Sequence, residues 1–448
     1  MSFAPPVNAP RTPDLAYAWY TVSVLTICYT LAFIDRQILG LMIGPIKAEF
    51  AITDTQVGLL GGLAFSLFYS IVSLPIGRIV DRVGRWRIIG LGVMFWSVMT
   101  MTCSVARGYP GLFLARMGVG VGEATLAPAA VSAISDSFPN DRLGSAMSVY
   151  GSGIYLGSGL ALLLGGAVIA SLAENPLVTL PLFGGVASWR IIFLVVGMPG
   201  LIVGLWVLTL REPPRQKAIL TRNGAVAALT VRQTIVEIFK RRGAVAGIAI
   251  GLMFQAIALY AYMLWSPEML RRSFGWPAHF TGLTMGVIVL VGGTLGMLTG
   301  GRLSDNGLRA GRRDAALIVA AGSSVAGFIM FATLLFALRS ASATLGILAM
   351  GVFLLAMPAG SCYAAAQMVL PNQVRGQAMA FILLIANFGG LTLGPLLPGL
   401  LNDYFFISDA ALGQSLSITL AATTLSAAIV FCATRSDYRQ HHRSLHPW

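Results

Sequence analysis

Apolar runs of around twenty residues or longer recur along the whole of this 448-residue chain. A run of that length matches the ~30 Å hydrocarbon core of a bilayer when it is helical. Twelve spans can be read, at about 17–41, 55–78, 87–106, 110–135, 142–171, 189–210, 244–268, 279–301, 314–338, 342–367, 374–402 and 411–433. Composition agrees, with 56% hydrophobic and 10% charged residues where a soluble domain carries about a quarter charged. The expected fold class is an all-α membrane protein of twelve transmembrane helices, with the lipid bilayer as its first partner.

An even number of spans places both termini on one side. Counting basic residues by loop gives 22 on that side, against Lys47, Arg107, Arg190, Arg271, Arg272 and Arg339 on the other. Basic loops stay on the cytoplasmic face, so both termini are expected to be cytoplasmic. The same bias accounts for the formal net charge of +13 without nucleic acid as a partner. Arginine outnumbers lysine 27 to 3, which points to a GC-rich bacterial genome and so to the inner membrane. No Gly-Lys-Ser phosphate loop is found, so the chain reads as neither an enzyme nor an ATP-driven pump. Cys28, Cys103, Cys362 and Cys432 lie in or beside apolar runs without metal-ligand spacing, and no metal or other cofactor is expected.

The chain divides into a tail at 1–16, a six-helix bundle at 17–210, a linker at 211–243, a second six-helix bundle at 244–434 and a tail at 435–448. In the linker Val231, Ile235, Ile238 and Phe239 recur at helical spacing opposite Arg232, Lys240 and Arg241. That pattern fits an amphipathic helix on the inner membrane surface, or a solvated linker. The two bundles repeat one another. Pro139-Asn140 before span 5 matches Pro371-Asn372 before span 11, and Gly144, Ala146, Met147 and Gly157 match Gly376, Ala378, Met379 and Gly389 at the same offset. Between spans 2 and 3, Gly77-Arg78-Ile79-Val80-Asp81-Arg82-Val83-Gly84-Arg85 has a weaker copy between spans 8 and 9, Gly301-Arg302-Leu303-Ser304-Asp305-Asn306. Parallel repeats with a site between them near the midplane are a transporter plan.

Four charges lie well inside the spans: Asp35 and Arg36 in span 1, Arg116 and Glu123 in span 4. A charge at the bilayer midplane costs at least ~2.5–3.5 kcal/mol, so each must face protein, water or a partner. Arg116 and Glu123 are two helical turns apart on one face, too far for easy contact with each other. Arg36 is expected to approach Glu123, with Asp35 nearby and open to protons. Burial favours a neutral carboxyl and a neighbouring arginine favours the charged one, so repacking against arginine can switch proton affinity. A purely structural cluster locking spans 1 and 4 is the other reading. Gly118, Gly120 and Gly122 would let a neighbouring helix approach closely. The second bundle shows no intramembrane charge; Gln255, Tyr260, Tyr262, Tyr363, Gln367 and Asn387 are its candidates to face a cavity. One polar, charged wall and one mostly apolar wall suit an amphiphile with a charged head.

Gly77-x-x-x-Asp81-Arg82-x-Gly84-Arg85 resembles the signature loop of the major facilitator superfamily. Arg116-x-x-x-Gly120-x-x-x-Ala124 resembles its fourth-span motif, and Gly390-x-x-x-Gly394-Pro395, with Gly153-x-x-x-Gly157, its glycine motifs for close packing. The resemblance implies two pseudo-symmetric bundles, alternating access, and a cytoplasmic latch formed by Gly77, Asp81, Arg82, Gly84 and Arg85. Asp81 would sit against the start of span 11, near 373–376, where a helix N-terminus favours an anion. Phe33-Ile34-Asp35-Arg36, Gly118 to Ala124, Leu156-Gly157-Ser158-Gly159-Leu160, Trp189-Arg190 and Arg211-Glu212-Pro213-Pro214 further resemble spinster-type transporters. These move sphingoid and lysophospholipid-like amphiphiles, which implies proton coupling through Asp35, Arg36 and Glu123 with protons as the only accessory ion. Sugar-acid symporters also carry a span-1 Asp-Arg and a span-4 Arg with Glu-Ala, and multidrug efflux transporters share the fold. The substrate expected is thus amphipathic or anionic and small, carried by a monomer.

Overall fold

The computed structural model describes residues 15–80, 83–138, 140–172, 177–180, 184–212, 242–369 and 375–445. The side chains of some residues within its helices, Tyr363 and Gln367 among them, fall outside that description, as do Asp81, Arg82 and the linker segment 213–241. Twelve helices among the described residues are long and apolar enough to cross a membrane. The end of the bundle that carries the chain termini is called the terminal end here, and the other the distal end.

Span 1 is Leu15–Phe50, and its apolar residues are spread around the helix because protein surrounds much of it. Span 2 begins at Asp54 behind a capping box. Thr53 accepts from the Gln56 amide at 3.2 Å, and the Gln56 side chain accepts from the Thr53 amide at 2.9 Å. Span 2 then breaks into Asp54–Gly61 and Leu63–Ile79. The break falls where it presses on span 11, because a Cβ on Gly62 would meet the carbonyl oxygens of Gly58, Leu391 and Thr392 within 2.9 Å. Span 4 breaks likewise, into Tyr109–Glu123 and Leu126–Ser137, directly after its acidic residue. Spans 3, 5 and 6 are Arg85–Cys103, Asn140–Leu172 and Ser188–Leu208. A short antiparallel hairpin, Leu177–Leu180 with Gly184–Ala187, lies between spans 5 and 6 and adds the one strand pair of the described residues to an otherwise helical protein.

In the second bundle span 7 is Arg242–Phe274, six residues longer at its distal end than the sequence reading. Span 8 runs from Ala278 to Arg309 through a π-helical turn at Val289–Gly293. Spans 9 and 10 are Ala315–Ala337 and Ala341–Val369. Span 11 is Arg375–Leu400 continued by a second π-helical stretch, and span 12 is Leu412–Leu445.

Each bundle has its own apolar core, and a third cluster joins them: Ile38, Leu39, Ile43 and Leu60 of the first bundle are continuous with Met263, Leu264, Trp265 and Met269 of the second. The joint depends on small residues. A Cβ on Gly58 would meet the Pro395 carbonyl oxygen at 2.6 Å, one on Gly40 the Leu264 carbonyl oxygen at 3.0 Å, and one on Gly282 the Leu162 carbonyl oxygen at 2.6 Å. Span 1 therefore meets span 7, span 2 meets span 11, and span 5 meets span 8, all in the distal halves of these helices. The distal end is closed.

Candidate functional site

The four intramembrane charges form two separate pairs. Asp35 is buried among spans 1, 3 and 4. It receives Arg116 Nη1 at 3.3 Å and the Thr100 hydroxyl, and is 3% exposed. Asp35, expected to be open to protons, is enclosed by these partners in this conformation, and Glu123, at 1% exposed, is enclosed as well. The neighbour of Asp35 on the helix points some 100° away, so Arg36 reaches a different partner. Arg36 donates through Nε at 2.8 Å and Nη2 at 2.5 Å, both to Oε2 of Glu123. Glu123 Oε1 is buried and lacks a hydrogen-bond partner among the described residues.

Glu123 ends the first half of span 4. The Ala124 amide still reaches the Gly120 carbonyl at 3.1 Å, whereas the Thr125 amide and hydroxyl both turn back to Gly122, at 3.2 and 2.8 Å. Gly120 and Gly122 bring this turn against spans 2 and 3, since a Cβ on Gly120 would meet the Phe65 carbonyl oxygen at 2.4 Å and one on Gly122 the Trp96 backbone nitrogen at 2.8 Å. Phe65 is thereby held against both arginines, its ring centre 4.5 Å from Arg36 Cζ and 6.0 Å from Arg116 Cζ. Phe33 and Tyr69 complete the aromatic seat of Arg36, at 4.7 and 5.4 Å. Each ring face over a guanidinium is worth about 0.5–2 kcal/mol, the larger figure where water is absent.

Arg36 also borders a small cavity between the bundles. Phe33, Gln37, Gly61 and Phe65 line it from the first bundle, and Tyr260, Met263, Leu264, Leu391 and Pro395 from the second. Its second-bundle wall carries no charge, and Tyr260 is that wall's polar side chain.

The remaining candidates divide. Gln255, expected to face a cavity, instead bridges spans within the second bundle, donating to the Leu355 carbonyl at 3.1 Å and accepting from Ser324 at 3.3 Å. Tyr262 does the same, donating to the Leu348 carbonyl at 2.9 Å. An amide or phenol inside an apolar bundle gains most from a fixed partner, which draws both away from the space between the halves. Asn387 is partly exposed on span 11. The Tyr363 and Gln367 side chains lie outside the described residues, as do Arg82 and Asp81 with its expected contact near 373–376. Of that loop, Gly84 precedes span 3, and Arg85 is buried at its start, pairing with Asp136 at the end of span 4 while its amide donates to Glu212 at 3.2 Å.

One group of charges escaped the sequence reading. Span 7 runs past Glu268, which is 2% exposed, so the second bundle holds a buried acid near the distal end of this helix. It is bracketed by Arg271 and Arg272 at 2.8 and 2.7 Å. An acid followed at i+3 and i+4 by arginines is a helix-stabilising pattern and was the available signal.

The geometry agrees with what the chain is similar to. A protein of Mycolicibacterium smegmatis described as an MFS-type efflux pump is 28% identical over 442 residues, covering 94% of each chain. The probable L-galactonate transporter of Escherichia coli is 27% identical over 284 residues, 61% of this chain and 58% of that protein. Among solved structures, a bacterial homolog of the human lysosomal transporter spinster, in an inward-facing and unoccupied conformation, superposes with a TM-score of 0.74 at 24% identity, over 96% of this chain and 98% of that one. The family described as Major Facilitator Superfamily matches residues 25–395, and with twelve spans in two joined bundles the chain belongs to that superfamily of transporters.

Proposed function

We propose that this transporter is secondary and proton-coupled, and carries an amphiphile with a charged head by alternating access between the two bundles. The carrying observation is the asymmetry of the cavity between them. Its first-bundle wall presents Arg36 in an aromatic seat, and its second-bundle wall is Met263, Leu264, Leu391 and Pro395 around one tyrosine. An anionic or zwitterionic head would meet Arg36, and a hydrocarbon tail would meet the apolar wall. The resemblance of Phe33-Ile34-Asp35-Arg36 and of Gly118 to Ala124 to spinster-type transporters supports a sphingoid or lysophospholipid-like substrate.

The Arg36–Glu123 pair supplies the coupling. Because Glu123 Oε2 takes both Arg36 donors and Oε1 takes none, a proton on this carboxyl removes the attraction that holds Arg36. The freed guanidinium then meets the substrate head; after the substrate departs, Glu123 releases its proton to water on that side and the guanidinium returns to the carboxylate. The basic bias of the terminal-end loops supports an inner membrane placement with both termini in the cytoplasm. A closed distal end then means a protein facing inwards.

The test is transport of fluorescent lysophosphatidylcholine into proteoliposomes against an imposed pH gradient, in wild type and in Glu123→Gln. The variant keeps the volume but not the charge, and it is expected to lose most of the gradient dependence. An equal response in both proteins sinks Glu123 as the coupling group. Sugar-acid transport is the second reading, favoured by the likeness to the L-galactonate transporter. A polyhydroxy anion would want a cation on each wall, and Tyr260 offers only a hydroxyl. Uptake of hexonates but not lysolipids in the same vesicles would decide for that reading.

A further inference from the structure

The distal closure contains a buried polar assembly that crosses between the bundles. Its centre is Asp54, the first residue of span 2, whose carboxylate is fully buried. Arg272 of span 7 binds it with two parallel bonds, at 2.6 and 2.7 Å. Asn402 of span 11 donates to the same carboxylate at 2.7 Å, and Lys47 of span 1 at 2.6 Å. In the reverse direction, the Asp403 carboxylate of span 11 accepts from the Thr55 amide at 2.6 Å and the Asp54 amide at 3.3 Å, serving free amides at the start of span 2. Gly399 allows this contact, since a Cβ there would lie 2.4 Å from the Asp54 carbonyl oxygen. At the rim Lys47 also reaches Asp409 at 2.9 Å, where Asp409 is 78% exposed.

We infer that Asp54 and Arg272 form the lock of the distal gate, so that the alternating-access equilibrium turns on separating this one buried pair. The inference rests on the alternating-access reading. Loss of Arg272 leaves the fully buried Asp54 with only Lys47 and Asn402, and loss of the Asp54 charge leaves Arg272 with only Glu268 and Asp409, so in the closed state a buried charge is under-compensated and its bidentate partner across the bundles is gone. Once the gate opens, water reaches that charge, so loss of either partner penalises the closed state and leaves the open one nearly unchanged. The Lys47–Asp409 pair is screened by solvent, and the Lys47–Asp54 bond lies within the first bundle and survives opening, so Lys47 contributes less to the gate than Arg272. Span 1 carries the site and also Lys47, a further partner of Asp54. Lys47 is eleven residues from Arg36 on span 1, roughly 16 Å along its axis, so a movement of span 1 at Arg36 is felt at Lys47.

Spin labels at Arg107→Cys and Ser340→Cys, both exposed distal positions on opposite bundles, report the gate in a background freed of native cysteines. Wild type is expected to give one short distance. Arg272→Ala and Asp54→Asn should each raise the open population at least tenfold, Arg272→Lys less, and Lys47→Ala by no more than about threefold. The double variant Asp54→Asn with Arg272→Ala should open no further than the stronger single variant, because both remove one shared interaction. Arg272→Lys keeps the charge and decides the matter should the alanine variant fail to fold. Folded variants with wild-type distances overturn the lock, and so does an additive double variant. Fluorescent lysophosphatidylcholine uptake by the same proteins separates the two ideas. Unchanged distances with uptake intact refute the lock alone, whereas a substrate-independent, immobile wild type without uptake of any probe refutes alternating access as well.

Discussion

Adjacent residues on span 1 serve different partners here, and helix geometry makes this inevitable. Asp35 and Arg36 diverge by about 100°, while Arg116 and Glu123 stand two turns apart on one face of span 4. Neither residue of span 1 can satisfy both charges of span 4, so each takes one. The two pairs differ in what surrounds them. Asp35 has Arg116 and Thr100, both buried, and forms a closed unit. Arg36 is 11% exposed and borders the cavity. Arg36→Ala would leave Glu123 charged and unpaired, a loss of about 3–5 kcal/mol. Arg36→Lys keeps a cation but loses the flat guanidinium that stacks on Phe33 and Phe65, so a smaller loss is expected. Thermal unfolding in detergent checks the order, and equal losses would show that packing rather than charge holds the site. This pairing was legible in the sequence because four charges in apolar runs have few partners to choose from. Sequence gives no view of Thr100, which sits on another helix and encloses Asp35 in this conformation.

At the scale of elements, glycine decides which helices touch. Gly120 brings span 4 onto the span 2 backbone, and with it Glu123 towards Arg36. Gly322 in span 9 faces open space, with no atom within 4 Å of where its Cβ would stand. Gly120→Ala should therefore lower the melting temperature through a forced helix displacement, costing about 1–3 kcal/mol. Gly322→Ala should be neutral or slightly stabilising, since alanine favours the helix by up to about 1 kcal/mol. Matching melting temperatures for the two variants would refute the assigned role of Gly120. The sequence reading placed such glycines in packing motifs, but not the breaks at Gly62 and after Glu123. A broken span has the same composition as a continuous one, and only the neighbour it avoids explains the break. The strand pair Leu177–Leu180 with Gly184–Ala187 is not legible for a simpler reason, because strands of four residues carry almost no periodicity.

At the scale of the whole molecule, the two bundles were legible from repeated motifs, and their distal joint was not. In the sequence Lys47, Arg271 and Arg272 count only as loop charges that orient the chain, and Asp54 merely opens span 2 behind its capping box. Each has that local role, yet the fold gathers three of them, Lys47, Asp54 and Arg272, with Asn402 and Asp403 from 130 or more residues downstream. A hydropathy boundary marks where a helix leaves the bilayer; it carries no information about which other helix ends beside it. Orientation is the property of the whole that the sequence argues most directly, from the 22 basic residues in the terminal-end loops and tails. On that argument a cysteine at Gly311, in the exposed turn between spans 8 and 9, faces the cytoplasm. One at Ser340, between spans 9 and 10, faces outwards. In sealed cells an impermeant maleimide is expected to label Ser340→Cys, and to reach Gly311→Cys only after the membrane is opened. The two positions flank a single span, so they must label from opposite sides whatever the orientation, and this controls for a leaky preparation. Labelling of Gly311→Cys in sealed cells with Ser340→Cys protected would invert the protein. The closed distal end would then face the cytoplasm, and the proposed cycle would start from an outward-facing state.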